Sequence, residues 1–154
     1  MDLILWRHAD AGEVRDGTPD ADRPLTAKGE RQAHRMADWL NRHLPATARV
    51  LVSPTLRTRQ TAQALGRKFK LAPELGPDQT VDALLAATRW PEATESVLVV
   101  GHQNTLALTA AYLLAGATQP PWSVRKGTVW WLRMRERGTG VEVALHTVLS
   151  PDKV

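Results

Sequence analysis

The sequence predicts an α/β fold, a mostly parallel central sheet flanked by helices as a three-layer sandwich, in one domain spanning residues 1–154. Three observations predict it. Residues 3–6, 49–52 and 97–100 are short apolar runs with the continuous hydrophobicity of strands buried on both faces. A helical pattern follows the first across a long loop and the second and third within a few residues, and strands alternating with helices imply a parallel sheet. No repeat, low-complexity segment or linker divides the chain, and its length suffices for one sizeable core.

The first strand, residues 3–6, stops abruptly at Arg7-His8, a pair that a buried strand should not contain. Residues 12–24, with Gly12, Gly17, Pro19 and Pro24, read as a long polar loop of a length that is often functional. Thr26 has the chemistry of an N-cap for a helix over residues 27–43. Ala33, Met36, Ala37, Leu40 and Leu44 define its buried face, and Arg31, Arg35, Asp38 and Arg42 its outer side. Gly29 in the first turn weakens that helix and points to a close backbone approach.

The second strand ends in Ser53-Pro54, read as an N-cap and first helical residue. The helix it opens is expected to reach about Lys70, burying Thr58, Thr61, Ala62, Leu65 and Phe69, with Arg59, Arg67 and Lys68 outside. Arg57 falls in the first turn at the edge of the buried stripe. An inward arginine where backbone N–H groups already carry partial positive charge needs an anion. A core carboxylate is disfavoured as that partner, because no acidic residue occupies the neighbouring helical turns.

Residues 72–95 carry a helix over residues 80–88 and three loop carboxylates, Glu74, Asp78 and Asp82, whose default is solvation. The third strand ends in Gly101-His102-Gln103-Asn104. The helix after it, residues 105–115, is apolar nearly all round and should be covered on several sides. Pro120-Pro121 break the chain. Residues 128–134 and 141–149 read as an antiparallel pair at one sheet edge, joined by Gly138-Thr139-Gly140, with Trp130 and Trp131 on opposite faces.

Composition narrows the function. Hydrophobic residues at 43% and charged residues at 23% are ordinary for a folded domain and speak against disorder. The absence of cysteine excludes disulfides and thiolate chemistry and fits a reducing, cytoplasmic setting. No basic stretch leading into an apolar run marks a signal peptide, and no stretch approaches the roughly 20 apolar residues that span a bilayer. The net charge of +4 and pI of about 10.0 invite a nucleic-acid reading, but the arginines are scattered among carboxylates without interleaved aromatics. No nucleic-acid and no membrane partner is expected; the positive field would draw a small anion.

In a parallel sheet, the junctions Arg7-His8, Ser53 to Arg57 and Gly101-His102 lie on one carboxyl-end edge, so two arginines and two histidines converge there. A metal suits them poorly, since paired guanidiniums repel a cation and no carboxylate cluster accompanies the histidines. His34 and His43 point to opposite sides of their helix and, with His146, are surface or packing residues. A phosphate-cradling Gly-rich loop and a serine nucleophile elbow are both missing. The ligand that such a pocket suits best is a phosphoryl dianion, gripped by arginine forks and open to attack by an imidazole.

Arg7-His8-Ala9, Arg23-Pro24-Leu25-Thr26 with Gly29, Ser53-Pro54 through Arg57 to Gln60-Thr61-Ala62, and Val99-Val100-Gly101-His102 resemble the histidine phosphatase superfamily. The short chain and the Arg-Pro-Leu-Thr signature look like its SixA-type phosphohistidine phosphatase branch. The resemblance implies a phosphoglycerate mutase-like fold and a phosphatase that needs no metal or cofactor. By the same resemblance His8 is the nucleophile, Arg7 and Arg57 hold the phosphoryl oxygens, His102 completes the pocket as a protonated donor in the loaded state, and the Gln103 backbone N–H contacts phosphate. The implied partner is a phosphorylated protein bearing phosphohistidine. The alternatives are a phosphorylated small molecule, or a non-catalytic module that binds phosphorylated proteins. Two departures stand out. Ala9 replaces the commoner glycine, and the chain has no room for the insert that carries a general acid in larger members. Glu74, Asp78 and Asp10 are the only candidates for that acid. Whether the loop over residues 12–24 closes over the phosphate is open.

Overall fold

Leu3, Ile4, Leu5 and Trp6 are completely buried, as expected of a strand covered on both faces, and β1 (Asp2–Arg7) runs through the middle of the sheet. The computed structural model describes residues 1–118 and 122–154; the expected chain break at Pro120-Pro121 lies outside them. With β2 (Arg49–Val52), β3 (Lys70–Leu71), β4 (Val97–Gly101), β5 (Val129–Arg137) and β6 (Gly140–Leu149), β1 forms a six-stranded sheet in the order β3-β2-β4-β1-β5-β6. The first four strands in that order pair in parallel, and β5 and β6 add an antiparallel edge.

Strand alternation sorts the core into two layers. Ile4, Trp6, Val50, Val52, Leu98 and Val100 face α1 (Ala27–His43) and α2 (Leu56–Gln63), which contribute Met36, Ala37, Leu40 and Ala62. Leu3, Leu5, Leu51, Val97 and Val99 face α3 (Val81–Thr88) and α4 (Gln103–Ala115), which contribute Leu84, Leu85, Leu106 and Ala110. Trp131 joins the first layer and Trp130 packs against the second, stacking on Trp122 at 5.5 Å. The expected α/β sandwich is the observed one.

Local signals acted as read at several places. The Thr26 side chain accepts from the Gly29 N–H at 3.0 Å and caps α1, and Thr80 caps α3 in the same way. His43 is exposed and stacks on Trp39, and His146 lies exposed against Trp131. The apolar α4 buries Thr105, Leu106, Ala107, Thr109, Ala110 and Ala111, whereas Asn104 near its start and Tyr112 and Ala115 at its far end are exposed.

The second helix departs from expectation at both ends. Its N-cap residue is Thr55, not Ser53, because the Ser53 hydroxyl is engaged by His102. It ends at Gln63, not near Lys70: residues 64–66 tighten into successive three-residue turns, and Gly66 takes a φ of +67°, which terminates the helix. The chain then extends, Phe69 reaches the core as a partly buried side chain, and Lys70–Leu71 pairs with Leu51 and Val52 as an edge strand. That two-residue strand carries no alternating pattern for sequence reading to detect.

Candidate active site

Parallel pairing aligns the strand ends. Arg7 of β1 stands opposite Gly101 of β4, and Val52 of β2 opposite Val100. The His8 N–H donates to Gly101 O at 3.0 Å, and the Ser53 N–H to Val100 O at 3.0 Å. The three junctions thus lie side by side, and the His8 and His102 rings approach to 5.5 Å between centroids, tilted by 58°. Both histidines are about nine-tenths buried or more, at 6% exposure each, and Arg57 is 4% exposed.

Each imidazole is held by one described hydrogen bond. His8 Nδ1 lies 2.7 Å from Ala9 O. A carbonyl only accepts, so Nδ1 carries the proton and Nε2 presents its lone pair. His102 Nε2 lies 2.8 Å from Ser53 Oγ, which can serve as donor or acceptor. Burial, together with the neighbouring His102, Arg7 and Arg57, outweighs the Ala9 carbonyl and lowers the His8 pKa to about 3. Burial and then Arg57 lower that of His102 to about 4. Both rings are therefore neutral at neutral pH, the form a nucleophile requires.

The guanidiniums are anchored at their ends and free along one edge. Arg7 Nη1 donates to Val124 O at 2.9 Å. Arg57 Nη1 donates to Asp20 O at 2.8 Å, and its Nη2 pairs with Asp20 Oδ2 at 3.0 Å. The Nε of both arginines is buried and has no hydrogen-bond partner among the described residues. Buried donors of this kind are costly unless an anion accepts from them.

The inward arginine was expected to lack a carboxylate, and here the structure corrects the sequence reading. Asp20 comes from the loop over residues 12–24, inside a 3₁₀ turn (Asp20–Asp22), not from a neighbouring helical turn. Arg23 clamps the same carboxylate through Nε and Nη2 and donates through Nη1 to Ala11 O and Gly12 O. Burial works upward on the Asp20 carboxyl, but Arg23 and Arg57 outweigh it and hold it below the usual carboxylate range. Asp20 is one of four acidic residues in that loop, and no periodicity distinguishes it from Glu13, Asp16 or Asp22.

Gln103 is the first residue of α4, so its backbone N–H is among those a helix leaves without an intrahelical partner. Its side chain has a second task that sequence reading did not foresee. Nε2 donates to Trp122 O, Oε1 accepts from the Val124 N–H, both at 2.8 Å, and Val124 O in turn receives Arg7. Gln103 thereby fixes the segment that aims Arg7.

The three candidate acids are not assembled with the histidines. Asp10 accepts from the Thr26 hydroxyl at 2.7 Å and pairs with Lys126 at 3.0 Å. The Thr26 bond first, and Lys126 with it, hold its carboxyl below the usual range, which is wrong for a proton donor near neutral pH. Glu74 and Asp78 are exposed and make no hydrogen bond or ion pair with a site residue among the described residues. Ala9 is completely buried in a small cluster with Ala11, Leu25 and Ala33, and its N–H donates to Thr61 Oγ1, so the methyl group is accommodated. Among the described residues, no three His, Cys, Asp or Glu side chains are grouped to hold a metal, and no helix is long and apolar enough to cross a membrane.

The low pKa values carry a prediction for stability. Free histidine titrates near 6.5, so on acidification the unfolded chain takes up protons before His8 and His102 do. Folding stability should therefore fall progressively as pH drops from about 6.5 towards 4. Urea titrations across that range check this, and His8→Asn should show a shallower decline than the parent chain.

Comparison with known proteins agrees with this geometry. The family model described as histidine phosphatase superfamily (branch 1) matches residues 3–80. Phosphohistidine phosphatase SixA of Escherichia coli K12 is 35% identical over 128 residues, covering 78% of this chain and 78% of that one. A structure of the protein histidine phosphatase SixA complexed with tungstate superposes with a TM-score of 0.78 at 30% identity, covering 99% of this chain and 98% of that one. A structure assigned to SixA of Nakamurella multipartitia gives 0.79 at 33% identity, over 97% and 95% of the two chains.

Proposed function

The chain belongs to the histidine phosphatase superfamily and is a phosphatase of it, and from that premise we propose that it removes the phosphoryl group from protein phosphohistidine through a phosphohistidine intermediate on His8. The observation that carries the reading is the neutral, singly anchored His8 beside the half-buried Arg7 and the buried Arg57, whose buried Nε donors lack an acceptor among the described residues. Tungstate, a tetrahedral oxyanion, bound to a relative at 30% identity lends further support.

In the proposed reaction, the dianionic phosphoryl group accepts from Arg7, Arg57 and the backbone N–H of Gln103. His8 Nε2 attacks phosphorus, the P–N bond to the substrate imidazole breaks, and the electron pair leaves with that ring, whose other nitrogen has taken its proton from solvent so that it departs as neutral imidazole. Water then attacks phosphorus in line, releases inorganic phosphate and returns His8 to its neutral form. Transfer of this kind needs positioning and charge neutralisation more than covalent help. The dianion raises the proton affinity of His102, which then donates to it. The mechanism assigns no task to a metal or organic cofactor.

Phosphohistidine is favoured over an alkyl phosphate by the carboxylates. Among the described residues none is a proton donor to the histidines, since Asp20, the carboxylate that acts on His102, is held ionised by Arg23 and Arg57, and an imidazole leaving group, with a pKa near 6.5, can leave without a strong acid. The setting proposed with this reading is the cytoplasm, as the cysteine-free composition leads one to expect. The test is metal-free turnover of a phosphohistidine protein beside para-nitrophenyl phosphate. Faster release from the protein by at least about tenfold is expected, whereas equal or better ester turnover would assign a general phosphomonoesterase.

A further inference from the structure

Beside the site lies a groove of about 670 Å³ between the first half of α1, the segment over residues 123–128 and the C-terminal residues 150–152. Arg7 lines it, so groove and site are contiguous. Its other cations are Lys28, Arg31, Arg35, Arg125 and Lys126, and its carboxylates are Asp10 and Asp152. Six cations against two carboxylates leave four positive charges, the formal net charge of the entire chain. The remainder of the protein is therefore balanced, and the excess is concentrated here.

The carboxylates do not cancel that excess. Asp10 pairs with Lys126 and accepts from Thr26, and Asp152, ionised and accepting from the Ser150 hydroxyl, is already counted in that balance. Lys28, Arg31, Arg35 and Arg125 are exposed and make no ion pair among the described residues. Positions 28, 31 and 35 follow the three- and four-residue spacing of one helix stripe, so three like charges stand in a row and repel one another. An unneutralised row of this kind costs a little stability and becomes favourable when an anionic chain lies along it.

We propose that this groove docks an acidic segment of the phosphorylated protein while its phosphohistidine enters at Arg7 and His8. The proposal rests on the phosphohistidine reading and adds the partner's chemistry to it. A protein segment fits better than a nucleic acid, because among the described residues no aromatic side chain lines the groove for base stacking.

Two phosphohistidine peptides test it, one flanked by a run of glutamates and one with glutamines in their place. The parent enzyme should turn over the acidic peptide with a kcat/KM about tenfold higher, expressed in KM and fading as salt screens the groove. Lys28→Glu/Arg31→Glu/Arg35→Glu should erase that preference while holding para-nitrophenyl phosphate turnover within about twofold. Arg125→Glu, on the opposite wall, should weaken the preference independently of any effect on α1. Anisotropy titration of a fluorescent oligoglutamate peptide reads the same groove without chemistry and should show the same losses. Equal turnover of the two peptides, or an acidic preference that survives both variants, overturns the proposal and leaves the phosphohistidine reading standing. Tighter binding of single-stranded DNA than of oligoglutamate overturns it in favour of nucleic acid. Should neither phosphohistidine peptide be turned over, the functional reading fails, and the anisotropy titration still decides the groove.

Discussion

Replacing His8 with alanine should abolish turnover of a phosphohistidine peptide, lowering kcat by about 10⁴-fold or more, the scale on which loss of a covalent nucleophile is felt. In the proposed mechanism the remaining residues would still bind and polarise the phosphoryl group, but no atom is left to accept it. The protein should remain folded, because the described hydrogen bond of the His8 side chain goes to the carbonyl of its own neighbour, Ala9, and joins no other element. Removing this ring also relieves the crowding of His8, His102, Arg7 and Arg57 that opposes protonation. Rapid quenching with a radiolabelled phosphohistidine peptide separates the possibilities. The parent enzyme should carry an acid-labile label in the first turnover, and the alanine variant none. Label or full activity in His8→Ala would remove the nucleophile from the mechanism, whereas binding without turnover in the parent would mark a module that only recognises phosphorylated proteins.

The second large effect concerns folding. At most exposed helical positions glycine to alanine is stabilising by about 1 kcal/mol. At Gly29 the sign reverses, because a Cβ there would overlap the carbonyl oxygen of Asp10 and lie 2.9 Å from its carbonyl carbon. Backbone cannot swing aside as a side chain does. Asp10 O accepts from the Thr26 N–H at 2.9 Å, and the Asp10 N–H donates to Gln32 Oε1 at 2.9 Å, so displacement breaks the seam that joins the start of α1 to the end of the catalytic loop. Gly29→Ala should therefore cost about 3 kcal/mol and lower Tm by roughly 9 °C for a chain of this size. Activity should fall with it, since Asp10 follows His8 by two residues. Thermal unfolding by circular dichroism checks the stability, and an unchanged or raised Tm would mean that this approach is not a tight one.

The convergence of the candidate site residues at one sheet edge was legible because its signals are violations. Arg7-His8 and Gly101-His102 interrupt runs that are otherwise apolar, and parallel pairing then carries the ends of those runs to one place. Gly29 was legible for a related reason, as a poor helix former in a strong helix. What escaped notice has no local signature. Asp20 sits among other loop acids and is singled out only by a fold that carries it to Arg57, 37 residues away. The end of α2 was missed because Leu65 and Phe69 continue the apolar pattern in space after the helix has stopped. Ser53 read as a cap because serine before proline usually is one, yet its hydroxyl was taken by a histidine 49 residues further on.

The order of the strands bears on when activity can first emerge in a growing or refolding chain. β4 lies between β2 and β1, so the two strands made first are never each other's neighbours. Until residues 97–101 arrive, His8 just past β1, the proposed nucleophile, and the arginine after β2 belong to separate, open-edged fragments. Non-local parallel insertion is the slow kind of pairing, and unpaired edges awaiting it are the adhesive kind. The strand that closes the gap also delivers His102, so His8, Arg57 and His102 are first brought to one edge by the pairing that joins the two fragments.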